Sequence, residues 1–365
     1  MKIRGPKHQA IRDALLEKIN SGAWPAASRI PGEVELASLF GVSRVTIARA
    51  LLDLQDRGHL KRIAGSGTFV SEASASVGRH FGLLIPELGG TEIFEPICQG
   101  MMHSPQASSH SLMWGNSSIF GKTKGEQALQ QCEHYIQKKV DGVFFAPVEH
   151  LEDKDDLNRR IIAMLRKANI PVVLLDRCYL PFPERSELDL VGIDNRRAGF
   201  LATEHLLDHG CKRLLFLAMK KSANTVEARI SGYRDAVLRR GLTLKANRVA
   251  IVSEINERTI GELCDRFDPD GILCTNDMLA GMLMQVLDRL GKDVPEKIKL
   301  VGIDDIKYAA LLRVPLTTVH QPCADIGRAA LAVMLERLEN PFLPRRDVLL
   351  PISLVVRRSC GHAGA

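Results

Sequence analysis

Two separate groups of residues in this sequence carry side chains suited to chemistry, and the first lies between Ile30 and Val70. Arginines and hydroxyl side chains follow a glycine at position 41, in the run Ser43-Arg44-Val45-Thr46 and at Arg49. Such basic and hydroxyl groups contact phosphates and base edges. A glycine-rich run, Gly65-Ser66-Gly67-Thr68, follows, and its backbone could approach a phosphate or a minor groove. This combination predicts nucleic-acid binding.

The second group consists of polar residues that end short apolar runs in the rest of the chain. They are Asp176-Arg177, Asp194-Asn195, Asn276-Asp277 and Asp304-Asp305, joined by Arg229 and Gln321. Carboxylates, amides and guanidinium groups that converge on one cleft can form paired hydrogen bonds with vicinal hydroxyls. An alternative stays open for each acid, because an acidic residue after a strand can also cap the following helix.

Catalytic motifs are incomplete. The run from Gly115 to Thr123 has five residues between its glycines, where a phosphate-binding P-loop needs four. The G-x-S-x-G and H-E-x-x-H motifs are absent, and Gly65-x-Gly67 lacks the third glycine of a dinucleotide site. We therefore expect no enzymatic activity.

Cysteine and histidine spacing gives no reason to expect a metal. The eight cysteines are scattered, without a C-x-x-C pair or a nearby Cys/His cluster, and His205 sits inside a helical pattern where a structural role is expected. We expect no metal, no cofactor and no disulfide framework, and reduced thiols in a cytoplasmic protein. The N-terminus lacks the apolar run of a signal peptide, and no run of eighteen apolar residues follows.

Basic charge is concentrated near the N-terminus. Of the net charge of +6 over 365 residues, +4 falls within residues 1–72, where eleven lysines and arginines stand against seven acids. This distribution is typical of a protein with a polyanionic partner, although a solvated surface can carry an excess of this size.

Three helices and a hairpin must position the first polar group. The sequence predicts an amphipathic helix over His8–Ser21, a short helix from Pro31-Gly32 to Gly41, and another that Ser43 caps. Two helices joined by a glycine turn form a helix-turn-helix, whose second helix can enter the major groove. The apolar-polar alternation after Gly58 predicts a two-stranded wing. A small helical domain that binds nothing is the alternative.

The segment from about His8 to Val70 resembles the GntR family of bacterial winged-helix regulators. The matching runs are Ile30-Pro31-Gly32-Glu33, Glu35-Leu36-Ala37, Gly41-Val42-Ser43-Arg44, Thr46, Ala50-Leu51 and Gly65-Ser66-Gly67-Thr68-Phe69-Val70. The resemblance implies contacts with double-stranded operator DNA at His8, Ser43, Arg44, Val45, Thr46, Arg49, Gly65, Ser66, Gly67 and Thr68. Val34 and Ala48 stand where relatives often carry arginine, so the operator can differ from theirs.

The second polar group requires a different architecture. Small polar residues at 73–79 predict a linker between residues 1–72 and an α/β domain over residues 80–360. Nine short apolar runs are predicted strands: Phe81–Ile85, Ser111–Trp114, Gly142–Ala146, Val172–Asp176, Leu190–Ile193, Leu214–Leu217, Val249–Val252, Gly271–Thr275 and Lys299–Ile303. Helical stretches between them predict parallel sheets in two lobes, whose ligands bind beyond the carboxyl ends of the strands.

The region from His80 to Arg358 resembles the effector domain of LacI/GalR repressors. The matching runs are Val172–Arg177, Val191–Asn195, Thr203–Leu206, Ala228-Arg229, Gly232-Tyr233, Cys274–Asp277, Leu300–Asp305, Pro315–Val319 and Gln321. The resemblance implies a two-lobe periplasmic-binding-protein-like fold with effector contacts at Phe94, Asp176, Arg229, Asn276, Asp304 and Gln321. Relatives often close the pocket with an aromatic residue, and none stands near Ser253-Glu254-Ile255.

The two resemblances together describe a hybrid similar to the arabinose-responsive repressor type. They imply a homodimeric, ligand-responsive transcription regulator, a repressor that binds a pseudo-palindromic operator and a small sugar or sugar derivative. The linker shows no hinge-helix pattern, so the ligand would act through the spacing of two winged helices. The alternative is a cytoplasmic sugar-binding or sugar-metabolising protein whose N-terminal domain contacts other proteins.

Overall fold

The computed structural model describes residues 7–20, 23–25, 27–56, 58–63, 65–71, 78–85, 92–115, 123–243 and 248–361. Most of the predicted linker and most of the incomplete P-loop run lie outside the described residues. The chain falls into two units, Met1–His80 with Pro105–Ser111, and Phe81–Ser104 with Leu112–Ala365. Within the described ranges, no helix is long and apolar enough to cross a lipid bilayer.

The first unit contains three helices and a hairpin. Helix α1 spans Lys7–Asn20, α2 spans Glu33–Phe40 and α3 spans Arg44–Asp56, while β1 (Leu60–Ile63) pairs antiparallel with β2 (Gly67–Val70). Apolar side chains from all of these elements form one buried core: Ile11, Leu15, Ile19, Ile30, Leu36, Ile47, Ala50, Leu51, Leu54, Leu60 and Val70. The predicted helix-turn-helix and wing are confirmed.

The turn between α2 and α3 fixes the direction in which α3 begins. Gly41 ends α2 with φ 63° and ψ 35°, a left-handed conformation that glycine adopts without steric cost. The amides of Gly41 and Val42 donate to carbonyls in the last turn of α2. Ser43 then caps α3, because its Oγ accepts the amide of Thr46 at 3.3 Å.

The second unit contains two six-stranded sheets, which we call the first lobe and the second lobe. The strands of the first lobe are β3 His80–Leu84, β4 Ser111–Trp114, β5 Gly142–Phe145, β6 Val172–Leu175, β7 Asp189–Ile193 and β13 Asp347–Leu350. The strands of the second lobe are β8 Leu214–Met219, β9 Arg248–Val252, β10 Gly271–Cys274, β11 Lys299–Asp304, β12 Thr317–His320 and β14 Ser353–Val355.

Strand order shows that both sheets are built by parallel crossovers. The first lobe has the order β13-β7-β6-β5-β3-β4 and the second lobe the order β14-β12-β11-β10-β8-β9. Neighbours from β13 to β3 and from β12 to β9 pair in parallel, and β14 pairs antiparallel with β12. The nine predicted strands are all present, with bounds within two residues of those expected. Strands β12, β13 and β14 were not predicted.

Helices cover both faces of each sheet. The first lobe carries α4 Phe94–Met102, α5 Lys124–Lys138, α6 Lys154–Lys167 and α11 Cys323–Glu339. The second lobe carries α7 Asn195–Asp208, α8 Thr225–Arg239, α9 Glu257–Phe267 and α10 Asp277–Arg289. The central strands β5, β6 and β10 are therefore buried along their whole length.

The chain passes between the lobes at three places, namely Asp194, Gln321-Pro322 and Pro351-Ile352. Polar residues that end strands of both lobes, such as Asp176 after β6 and Asp304 at the end of β11, line one common cavity. Five of the ten residues of the second polar group line this cavity between the lobes, namely Asp176, Arg177, Arg229, Asn276 and Asp304.

Candidate functional site

The N-terminal end of α3 presents a polar, exposed surface. Ser43, Arg44, Val45 and Arg49 are exposed, whereas the opposite face of the helix is buried in the core. Thr46 is half-buried, with its hydroxyl 2.9 Å from Ser43 Oγ. Val45 is an exposed apolar side chain, the kind that contacts a thymine methyl group in a major groove.

Glu33 connects α3 with the wing. Its Oε2 accepts from Arg44 Nε at 3.0 Å, and its Oε1 lies 3.5 Å from Arg62 Nη2 on β1. The two arginine side chains are 68 % and 63 % exposed, so both keep donors for a partner in solution. Neither Glu33 nor Arg62 was predicted as a site residue, because only the tertiary structure places them beside Arg44.

The predicted wing residues form a tight turn. Gly65 and Gly67 have φ values of 76° and 118°, and the amide of Ser66 donates to the carbonyl of Ile63 at 3.0 Å. Ser66 is exposed at the tip, and Thr68 pairs with Arg62 across the hairpin. His8, the remaining predicted contact, lies half-buried in the first turn of α1.

Within the second unit, residues of both lobes line a cavity of about 260 Å³. At roughly 30 Å³ per water molecule, this is the space of about nine waters, a size that suits a single sugar ring. Five of the six predicted effector contacts line it: Phe94, Asp176, Arg229, Asn276 and Asp304. Gln321 lines an adjacent cavity of about 350 Å³ that shares Asp304.

Asp304 stands at the centre of the polar groups. Its Oδ1 accepts from Gln321 Nε2 at 2.8 Å and lies 3.6 Å from Arg229 Nη2. Burial raises the pKa of the Asp304 carboxyl to about 7, although the charge of Arg229 opposes this rise. Asp304 can therefore change its charge near neutral pH.

Arg229 is held rigidly from the second lobe. Its side chain is buried, with Nε donating to Asn195 Oδ1 at 2.8 Å and Nη1 donating to the carbonyl of Thr275. These bonds leave Nη2 on the side of Asp304. A guanidinium fixed in this way can present a donor to a ligand with little loss of conformational entropy.

Asp176 approaches the cavity from the first lobe. It adopts φ 67°, and its Oδ2 lies 3.1 Å from Arg177 Nε. Its other oxygen, Oδ1, is buried without a hydrogen-bond partner among the described residues, as is Gln321 Oε1. Buried acceptors of this kind are costly unless a ligand or water supplies a donor.

Phe94 forms part of the apolar lining. Its ring is buried, and the Cζ atom of Arg177 lies 5.4 Å from the ring centroid, so one face already packs against a cation. Met219, Met278 and Ile306 supply further apolar surface. None of Ser253, Glu254 and Ile255 lines the cavity, and Ile255 packs against the core of the second lobe.

The capping alternative applies to several of the strand-end residues. Asp194 caps α7 by accepting the amide of Arg197 at 2.9 Å, and Asn276 caps α10 by accepting that of Leu279 at 2.9 Å. Asp277 accepts from Thr318 Oγ1 at 2.6 Å, which requires that Gly302 beside it lack a Cβ. Asn276 thus combines a structural role with a place in the cavity wall.

Asp305, another strand-end residue, also has structural partners. It accepts from Arg357 Nη2 at 2.7 Å, and its other oxygen lies 2.9 Å from His320 Nδ1.

Glu149 is a cleft residue that sequence reasoning missed. It follows β5 on a loop, and its Oε1 lies 2.5 Å from Arg177 Nη1. Its Oε2 accepts the amide of Ala223 from the second lobe at 3.0 Å. Next to it, the amide of His150 donates to the carbonyl of Lys221 at 2.8 Å, so this loop joins the two lobes. The strand-end rule, applied after β5, would have drawn attention to Glu149 and His150.

Comparisons with known proteins agree with both parts of this description. Residues 7–70 match the bacterial regulatory proteins of the gntR family, and residues 203–360 match the periplasmic binding protein-like domain. The chain is 25 % identical to the arabinose metabolism transcriptional repressor of Geobacillus stearothermophilus over 97 % of both proteins.

Two further similarities concern most of the chain. It is 31 % identical over 258 residues to the HTH-type transcriptional repressor PurR of Vibrio vulnificus (strain CMCP6), covering 68 % of this chain and 73 % of that protein. A solved structure, the transcription regulator GntR from Chromobacterium violaceum, is 27 % identical with a TM-score of 0.61, over 78 % of this chain and 100 % of that one. This chain therefore belongs to the bacterial transcriptional repressors, in the group that joins a GntR-family DNA-binding domain to a periplasmic-binding-protein-like domain.

Proposed function

We propose that this protein is a homodimeric repressor that binds a pseudo-palindromic operator and responds to a small polyhydroxylated effector, a sugar or sugar derivative, held between its lobes. Residues 1–72 would form the DNA-binding domain, residues 73–79 the linker, and residues 80–360 the effector-binding and dimerisation domain. The protein would act in the cytoplasm, where the operator lies.

The observation that carries this proposal is the pair of buried acceptors at the cleft. Asp176 Oδ1 and Gln321 Oε1 lack a partner among the described residues, and they belong to two adjacent cavities that share Asp304. The Asp304 carboxyl accepts from Gln321 Nε2 and lies 3.6 Å from Arg229 Nη2. Vicinal hydroxyls of a sugar can donate to such acceptors while their oxygens accept from a guanidinium. The arrangement therefore favours a ligand with several adjacent hydroxyl groups.

The rest of the cavity supports the same class of ligand. Met219, Met278 and Ile306 form an apolar wall that suits the C–H face of a sugar ring. The volume of about 260 Å³ is sufficient for a monosaccharide. The relative named for arabinose metabolism supports a pentose or hexose as the first compounds to test.

Similarity to proteins named as transcriptional repressors supports binding without catalysis. Glu149 and Asp176 lie beside Arg177, and Asp304 is held by Gln321 and Arg229. Each of these carboxylates therefore has a cation nearby that balances its charge. We infer that the ligand leaves the cleft unchanged.

For DNA recognition, we assign base and phosphate contacts to the exposed end of α3 and to the wing. Arg44 and Arg49 would contact the major groove, and the turn from Gly65 to Thr68 would contact the adjoining backbone or minor groove. His8, Ser43, Val45 and Thr46 complete the proposed surface. Because cations displace counterions from phosphates, operator affinity should fall as salt rises.

Ligand binding would change how the lobes close and thereby the spacing of the two winged helices in the dimer. Coupling of this kind between two sites is typically about 1–3 kcal/mol. The cross-lobe bonds of Glu149 and His150 are the contacts through which closure would be stabilised.

The test is fluorescence anisotropy of labelled DNA from upstream of this gene and its neighbours, with and without pentoses, hexoses, sugar acids and nucleosides. We expect salt-sensitive binding that one compound releases. Arg44→Ala should weaken operator binding while effector affinity, measured by calorimetry, is retained. Arg229→Lys should weaken effector affinity while the free protein still binds DNA, because lysine cannot form all of the bonds of the guanidinium.

Matched controls separate local effects from loss of charge. Lys18→Gln removes one positive charge from the last turn of α1, at a residue outside the proposed DNA surface. This variant should bind the operator nearly as tightly as the parent protein does. Arg196→Gln removes an exposed arginine of α7 that pairs with Asp235, and should not change effector affinity. A protein that binds a sugar but shows no preference for any DNA would contradict the proposal and favour a sugar-binding or sugar-metabolising protein.

A further inference from the structure

Outside the cleft, three metal-ligating side chains come together from distant parts of the sequence. His205 lies in α7, His209 follows the last residue of α7, and Cys360 ends a short 3-10 helix, Arg358–Cys360, near the C-terminus. Ligand atoms of the three side chains lie within 4.8 Å of one another. The positions of the two histidines, four residues apart at a helix end, place them on one face.

The histidine rings are arranged in a way that favours coordination. Their centroids lie 4.1 Å apart. His209 Nδ1 lies 2.8 Å from the carbonyl oxygen of His205, which can only accept, so Nδ1 carries the proton and donates. The other ring nitrogen, Nε2, is then the one with a lone pair. Metal-bound histidines commonly have one nitrogen fixed in this way by a backbone carbonyl.

The sulfur of Cys360 has a matching environment. The residue is fully buried, with Sγ 3.2 Å from Thr317 Oγ1 on β12 and 3.4 Å from the carbonyl oxygen of Arg357, to which the thiol donates. The Thr317 hydroxyl also lies 3.1 Å from that carbonyl, so its proton can turn to the sulfur once the thiol proton has left. A hydroxyl at this distance can donate to a thiolate and so stabilise a metal-bound sulfur from outside the coordination sphere. When a metal binds, the thiol loses its proton to solvent and the sulfur supplies the electron pair of the new bond.

We propose that His205, His209 and Cys360 form a binding site for one zinc-class divalent ion. Two imidazoles and a thiolate are the ligands that zinc prefers, and the group contains no carboxylate that would favour magnesium or calcium. In tetrahedral zinc sites, bond lengths of ~2.0–2.3 Å place neighbouring ligand atoms ~3.3–3.8 Å apart. The three donors, whose ligand atoms lie within 4.8 Å of one another, therefore need to approach by about 1 Å to share one ion. Because the protein supplies three ligands, the fourth tetrahedral position is left for water.

The ion would fasten the C-terminal turn of the chain to the end of α7. Helix α7 begins directly after Asp194, one of the places where the chain passes between the lobes, and packs against β11 and β12. The site is distinct from the effector cleft, since none of its three residues lines either of the cavities there. Its expected effect is on the stability of the second lobe.

The test uses the full chain, freed of metal with EDTA and titrated with Zn²⁺ against a chromophoric chelator. We expect one high-affinity ion per chain, and a higher melting temperature when the ion is present. His209→Ala should lower the zinc affinity by at least about tenfold and remove the thermal shift. With Co²⁺ in place of Zn²⁺, a thiolate-to-cobalt charge-transfer band should appear in the parent and be lost in Cys360→Ser.

Two features of the design keep the result decisive. Cys360 is buried, so its serine variant could unfold, but His209 is half-buried and its alanine variant should remain folded. Cys211→Ser is the matched control, because Cys211 is a buried thiol two residues after His209 that does not belong to the group. Zinc binding that is absent, or equally strong in His209→Ala and Cys211→Ser, would overturn the proposal.

Discussion

Glu149 and Arg177 form an ion pair at the edge of the cleft, with Oε1 and Nη1 2.5 Å apart, and the other oxygen of Glu149 accepts the amide of Ala223 from the opposite lobe. The Arg177 side chain is 6 % exposed, so the cost of burying its positive charge is offset by the carboxylates of Glu149 and Asp176. One carboxylate therefore both compensates a buried cation and joins the lobes.

We expect Glu149→Gln to weaken effector binding and to lower the free energy of unfolding by about 3 kcal/mol, because it leaves Arg177 buried with less compensating charge. Calorimetry and urea unfolding would measure the two effects. Glu152→Gln is the control on the same loop, since Glu152 is 83 % exposed and its bridge to Lys221 should contribute little. Equal effects of the two variants would contradict the role assigned to Glu149.

The same ion pair has a consequence at acid pH. Although burial raises it, the charge of Arg177 lowers the pKa of Glu149 to about 2, below the ordinary value of 4.5. A depressed pKa contributes stability above the unfolded value, and this stability is lost as the pH falls through the folded value. The unfolding free energy should therefore fall between about pH 4.5 and pH 2 more steeply in the parent than in Glu149→Gln.

Asp304 should make effector binding depend on pH near neutrality. Burial raises the pKa of its carboxyl to about 7 from the ordinary 3.8. Hydroxyl groups of a ligand donate more strongly to the charged form, so affinity should rise between about pH 6 and pH 8. Calorimetric titrations of the parent should show this rise and those of Asp304→Asn should not.

The free protein should show the opposite trend in stability. A raised carboxyl pKa stabilises the fold most below pH 3.8, and this contribution declines as the pH rises through about 7. Thermal unfolding of ligand-free Asp304→Asn should lack that decline. If the stability of the parent is constant between pH 3.8 and about pH 7, and its affinity is constant between about pH 6 and pH 8, Asp304 stays ionised and the prediction is wrong.

Glu33 should reduce non-specific DNA binding. Its carboxylate holds Arg44 and Arg62 at the proposed DNA surface, where it also repels phosphates. We expect Glu33→Gln to bind unrelated DNA several-fold more tightly and to lose part of its preference for the operator. Anisotropy with operator and scrambled duplexes would measure the ratio. Glu35→Gln is the control, because it removes an exposed carboxylate from the same turn of α2.

A buried ion pair in the first lobe should dominate local stability. Arg337 Nε and Nη2 donate to the two oxygens of Asp189 at 2.9 and 3.1 Å, and both side chains are at most 4 % exposed. Arg337→Met should lower the unfolding free energy by about 3–5 kcal/mol, because the nearest remaining cation to the buried Asp189 is Arg345 at 4.0 Å and three backbone carbonyls lose their donor. Urea unfolding would show this loss. The double variant with Asp189→Leu should regain part of the stability, and a further loss would contradict this explanation.

Part of this architecture follows from the sequence alone. The helix-turn-helix was predictable because Gly41 and Ser43 act on their own neighbours, one by a left-handed backbone and the other by capping an amide three residues on. The predicted strands were found because fully buried parallel strands are continuous apolar runs, as in Val172–Leu175. Strands β13 and β14 escaped prediction because they are only partly buried and lack that signal.

The strand-end rule directed attention to residues that line the cleft, but it could not assign roles within it. Asp176 and Asp304 both end strands and line the cavity, whereas Asp194 ends a strand and caps a helix. These residues have the same local pattern. The cavity residues Asp176 and Asp304 differ from Asp194 in the path that the chain takes after the strand. That path depends on how the two lobes pack.

Pairings between distant residues were decided by the tertiary structure alone. Glu33 reaches Arg62 across the first unit, Glu149 reaches Ala223 across the cleft, and His209 lies beside Cys360 although 150 positions separate them. Periodicity and capping are determined by neighbours within a few residues, so a sequence displays them directly. Contacts of this longer range depend on strand order and crossovers, which bring side chains together without leaving a pattern in the spacing of the residues.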